Sequence, residues 1–106
     1  MRVVEGASFV AAPLCGLTLV QLGADVIRFD PIGGGPDYGR WPLSSNGSSY
    51  YWEGLNKGKR SIAINLSTDI GRELAVELAT AKGREFRIFS YQLSVAEFPV
   101  ARKIDR

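Results

Sequence analysis

The chain has 106 residues, a formal net charge of +2 and no histidine. That length fits one small domain, and so weak a charge gives no ground for nucleic acid or a membrane as a partner. The lack of imidazole excludes histidine acid–base chemistry and argues against a zinc centre, so no metal site is expected; separately, no permanently bound cofactor is expected.

Residues 2–5 put Val3 and Val4 side by side, as in a short strand, and Gly6-Ala7-Ser8 breaks the run. Pro13 suits the first turn of a helix, where its missing N–H costs nothing. Leu14, Leu17, Leu19, Val20 and Leu22 make that helix apolar on most sides, and Gly23 is a good residue to end it. Cys15 lies inside this run and reads as a small buried hydrophobe. A single thiol makes no internal disulfide, so the cytoplasm is the expected compartment. Residues 25–30, with Val26, Ile27 and Phe29, read as a second strand. Strand, loop, helix and strand in that order predict a βαβ unit and a mainly parallel, helix-covered sheet.

Residues 31–49 hold five glycines, three prolines, Tyr38 and Trp41, and read as a long functional loop. An aromatic segment over 49–55 suggests a short helix, and Asn56-Lys57-Gly58-Lys59-Arg60 is a basic turn before a strand at 61–66. Ser67 or Thr68 is placed to cap a further helix, with Asp69 in its first turn. Ile70, Leu74 and Leu78 are expected to form its buried stripe, and Gly83 to stop it. Residues 86–91 offer a fourth strand, after which the pattern fades. No apolar stretch reaches the roughly 18–20 residues that span a bilayer, and residues 1–5 lack a signal-peptide layout.

Three features bear on chemistry. The glycines at 33–39 do not make a dinucleotide fingerprint, because they follow the second strand, contain Pro36 and open no helix. The basic turn is more informative: Lys57, Lys59 and Arg60 lie within four residues, beside a glycine that lets backbone N–H groups approach a ligand. Such a turn can hold phosphate through charge-assisted hydrogen bonds, or it can be a solvated turn. No phosphate-binding P-loop pattern occurs. The eleven carboxylates form no recognisable acid–base pair and read mostly as surface or capping groups, although Asp30 and Asp37 bracket the glycine loop.

Four ordered motifs carry a resemblance: Val3-Val4-Glu5, Ala11-Ala12-Pro13, the run from Leu22-Gly23-Ala24 to Val26-Ile27-Arg28, and Asn56-Lys57-Gly58-Lys59-Arg60-Ser61-Ile62. Together they resemble the family III CoA-transferases, the CaiB–BaiF group, over about residues 2–80. Phe9 to Pro13, Asp30 to Gly35 and Arg40-Trp41-Pro42 resemble the isomerase branch of that group, which moves CoA between the two carboxyls of one diacid. The resemblance implies a partial Rossmann-like three-layer unit, the amino-terminal part of a larger fold, over 1–82. Residues 83–106 are expected to form a divergent, poorly ordered tail.

For function, the resemblance implies a CoA or acyl-CoA thioester as substrate. Val10 and Ala11 would line its pantetheine or nucleotide path, and Lys59, with Lys57 and Arg60, would meet its phosphate end. Pro31 stands where some members carry an arginine against the nucleotide. The family's nucleophilic aspartate corresponds to a position beyond residue 106, so no catalytic residue is assigned here, and activity of the chain alone is not expected. Intact members form interlocked homodimers. The competing expectation is a non-catalytic, truncated product that binds nothing specific or pairs with a full-length paralogue. Selective CoA binding separates the two.

Overall fold

The computed structural model describes residues 1–6, 10–80 and the backbone of 86–89. Seven elements follow in chain order: β1 (Arg2–Gly6), α1 (Ala11–Gln21), β2 (Asp25–Asp30), α2 (Tyr50–Leu55), β3 (Arg60–Ala63), α3 (Asp69–Thr80) and β4 (Phe86–Phe89). The four strands form one parallel sheet in the order β3-β2-β1-β4. The chain moves outward from β1 to β3 and then returns to β1's other side. Right-handed crossovers therefore put α1 on one face and α3 on the other. This is the expected α/β, Rossmann-like architecture, and the return creates a switch point between β1 and β4, where open α/β sheets bind ligands.

Register decides what each face carries. Val3 pairs with Val26, Glu5 with Arg28, and Arg28 with Ser61. Because side chains alternate across a strand, these residues share one face, while Val4, Ile27 and Phe29 share the other. Val3, Val4 and Val26 are buried, and each such side chain contributes about 1.5–3 kcal/mol on leaving water. Gly6 is tied to the second face, since any Cβ there would overlap the ring of Phe29.

The local signals act where the sequence places them. Gly23 takes φ +92° after α1, a conformation costly to residues with a Cβ. Ser49 caps α2 by accepting from Trp52 N–H at 3.3 Å, and Thr68 accepts from Gly71 N–H at 3.0 Å at the start of α3. Three expectations need correction. Cys15 is exposed, because it lies on the solvent side of α1. The stripe expected on α3 is not buried: Ile70 is 71% and Leu74 50% exposed, and Leu78 is half-buried. Periodicity reports an apolar face but not whether a surface exists to receive it. Finally, Glu5, Asp30 and Asp37 are interior rather than surface carboxylates, for the reason given below. Of the tail at 83–106, residues 86–89 form β4 and the rest lie outside the described residues.

Candidate functional site

Arg28 is the centre of the polar interior. β2 directs it to the face covered by α1 and α2, where it is 1% exposed. Its Nε donates to Asp30 at 3.0–3.1 Å, and its Nη2 donates to Asp30 at 2.9 Å and to both Asp37 oxygens at 3.0 Å. Nη1 donates to Asn56 Oδ1 at 3.0 Å and lies 3.6 Å from Glu5 Oε1. The guanidinium also stacks 4.5 Å from the centre of the Trp52 ring, against which Tyr38 packs. Removing so many charged groups from water is tolerable only because each has a partner. Burial alone would lower the affinity of Arg28 for its proton, but the bonds and charges of Asp30 and Asp37 outweigh that and raise it.

Lys59 is the second buried cation. Its side chain is 2% exposed and its ammonium straddles the Glu5 carboxylate, 3.0 Å from Oε1 and 2.9 Å from Oε2. It also donates to the carbonyl of Pro13 at 2.8 Å and to Asn56 Oδ1 at 3.0 Å. A lysine has three N–H donors, and here all three are used. Burial pushes the Glu5 carboxyl above its ordinary value, against the pull of Lys59 and Arg28. Burial likewise pushes Lys59 below its ordinary value, against the stabilising bond it donates to Glu5. Gly16 makes the arrangement sterically possible, because a Cβ there would overlap Glu5 Oε2 and lie 3.1 Å from Lys59 Cε.

Above this interior lies an open cleft of about 350 Å³ lined by Arg28, Trp52, Glu53, Asn56, Lys57, Lys59, Arg60 and Ser61. Lys57 is exposed at the turn, and Gly58 takes φ +76° there. Arg60 borders the cleft, but its side chain, 67% exposed, reaches Asp25 through the guanidinium at 3.2 Å. Asp25 also meets Arg2 at 3.5 Å. Such exposed pairs are worth about 0–1 kcal/mol, so Arg60 is free to turn toward a stronger anion.

Two buried cations face three buried carboxylates, so the interior offers no surplus positive charge. Attraction for an anion must come from Lys57 and Arg60 at the rim. Val10 and Ala11 are exposed at the start of α1, beyond the carboxyl end of β1 and beside the switch point. The Lys59–Pro13 bond connects that helix turn to the basic turn. The expected site residues thus fall into two exposed groups, Val10 with Ala11 and Lys57 with Arg60, joined by a buried Lys59. Sequence reasoning did not find Arg28, Glu5, Asp30 or Asp37. Alternation in Asp25–Asp30 was the available signal, since it puts Arg28 and Asp30 on one face with Val26.

Comparison with known proteins agrees with this architecture. Residues 1–81 match the model for CoA-transferase family III. The chain is 61% identical over 90 residues to 2-methylfumaryl-CoA isomerase of Chloroflexus aurantiacus, a match that covers 84% of this chain and 22% of that protein. It is 37% identical over 79 residues to succinyl-CoA–D-citramalate CoA-transferase of the same organism, covering 74% of this chain and 20% of that one. A CAIB/BAIF family protein from Brucella suis, known from its crystal structure, superposes with a TM-score of 0.75 at 35% identity, over 88% of this chain and 25% of that one. The chain therefore spans about a fifth of the length of these two curated relatives. With its parallel sheet, its buried Arg28 cluster and its basic turn, this chain belongs to CoA-transferase family III.

Proposed function

We propose that the chain binds CoA thioesters, holding a phosphate-bearing end of CoA at the mouth of the cleft with Lys57 and Arg60. The pantetheine arm would run past Val10 and Ala11. The observation that carries this reading is an open cleft lined by the exposed Lys57 and by Arg60, whose guanidinium is held by the partly exposed Asp25, over a floor whose cations Arg28 and Lys59 are already paired. At about 350 Å³ it is near the small end of ligand pockets, about 300–1,000 Å³. One end of a CoA thioester fits such a space, and the rest would lie along the surface. Lys59 supports the site from beneath, since a phosphate would have to displace one of its three acceptors to meet it.

The chemistry we infer for the chain's place in a family protein is CoA transfer between carboxylates of short diacids. The two curated relatives are named for 2-methylfumaryl-CoA and for succinyl-CoA with D-citramalate, and the 61% identity favours the intramolecular version. Among the described acids, Asp30 and Asp37 are both committed to Arg28, so the residues here would bind and orient the thioester. A second reading is a chain that acts only beside a longer family member. It is favoured by large apolar side chains left in solvent, Trp41 at 76% and Ile70 at 71% exposed.

Calorimetric titration with CoA and with pantetheine tests the proposal. Saturable CoA binding that weakens with salt and is stronger than pantetheine binding is expected. Equal affinity for the two ligands, independent of salt, would remove the phosphate site.

A further inference from the structure

The resemblance makes Lys59 a phosphate contact, but its surroundings point elsewhere. Its three acceptors come from three different parts of the chain: Glu5 near the carboxyl end of β1, the Pro13 carbonyl in the first turn of α1, and Asn56 in its own turn. Asn56 is in turn held by Arg28 from β2 and donates to the Trp52 carbonyl at 2.9 Å. At 2% side-chain exposure, none of these bonds is easily replaced by water. Gly16 lets α1 approach closely enough for the ammonium to reach across.

We propose that Lys59 is a positioning residue: a buried three-way pin that fixes the first turn of α1, with Val10 and Ala11, relative to the basic turn carrying Lys57. For the ligand this rests on the CoA reading above, whereas the mechanical coupling rests on the bonds alone. The two groups that would grip opposite ends of one ligand are on segments with no sequence proximity, and one ammonium sets their separation. Losing it frees both segments at once, so both ends of the ligand are affected although Lys59 touches neither. A direct phosphate contact would affect only the phosphate end.

Hydrogen exchange on the full chain tests the coupling without ligand. Wild type is compared with Lys57→Ala, Lys59→Met and the double variant Glu5→Gln/Lys59→Met, which leaves no unpaired buried charge if the single variant does not fold. A pin predicts that exchange rises by about tenfold or more both at Leu14 and Cys15 and at the amide of residue 59, which donates to Asn56, in the Lys59 variants, with neither region changed in Lys57→Ala. A rise confined to residues 56–60 would overturn it. With ligand, the Lys59 variants should weaken both pantetheine and CoA, with the larger loss for CoA, which is gripped at both ends. Weakening of CoA alone would instead make Lys59 a phosphate contact. If wild type binds neither ligand, the CoA reading fails and the exchange result still decides the pin.

Discussion

Glu5 and Lys59, 54 positions apart in sequence, meet at 2.9 Å beneath a glycine of α1. This contact ties the central strand to the basic turn and makes the first helix a precise cover rather than a loose one. The interior of this small unit is therefore as much polar as apolar, and its order depends on complete pairing.

Arg28 is the least replaceable member. Arg28→Met leaves Asp30 and Asp37 buried without their cation, and breaking such pairs costs about 3–5 kcal/mol. Urea unfolding should show that loss. Arg28→Lys should recover little of it, because an ammonium cannot span Asp30, Asp37 and Asn56 as the planar fork does.

Gly16 and Gly54 make a matched pair of tests. Alanine normally stabilises a helix by up to about 1 kcal/mol over glycine. Gly54→Ala meets open space and should follow that rule. Gly16→Ala would drive its Cβ into Glu5 and should destabilise by about 1–3 kcal/mol. Equal effects in thermal unfolding would contradict the described approach of α1.

The elements were largely legible in the sequence, because β-branched runs, Gly23, Thr68 and the four-residue apolar spacing are local signals. The polar interior was not. An arginine between Ile27 and Phe29 resembles a surface residue of an alternating strand until Asp37 and Asn56, from distant segments, supply its partners. Lys59 was legible as a cation but not as a buried one, because its acceptors in β1 and α1 are 54 and 46 residues away. The exposure of Ile70 and Leu74 depends on what lies opposite α3, which no periodicity encodes.

Titration of the buried pair has a definite sign. The Glu5 carboxyl, facing Lys59, Arg28 and Asp30, has its affinity for a proton raised above the ordinary value of 4.5, so folding retains a proton and stability falls as pH rises through that window. Lys59, facing Glu5, Arg28 and Asp37, is lowered from 10.5, so stability rises as pH climbs toward that value. Relative to Glu5→Gln/Lys59→Met, which keeps the other charges, wild-type stability should pass through a minimum between the two. A flat difference across chemical denaturation at several pH values would contradict the burial of the pair.

The rim cations carry the expected ligand dependence. Lys57→Ala should weaken CoA by about tenfold, or ~1.4 kcal/mol, with a smaller loss for Arg60→Ala because its guanidinium must first leave Asp25. Both losses should shrink as salt rises, and neither variant should alter pantetheine affinity.

The most direct test is an amide correlation spectrum of the labelled chain during CoA titration. Saturable shifts at Lys57, Gly58, Arg60 and Ser61, joined by Val10 and Ala11 and unchanged at Ile70 and Leu74, are the predicted result. Shifts confined to α3, or none from a chain whose spectrum is folded, would contradict CoA binding at this cleft.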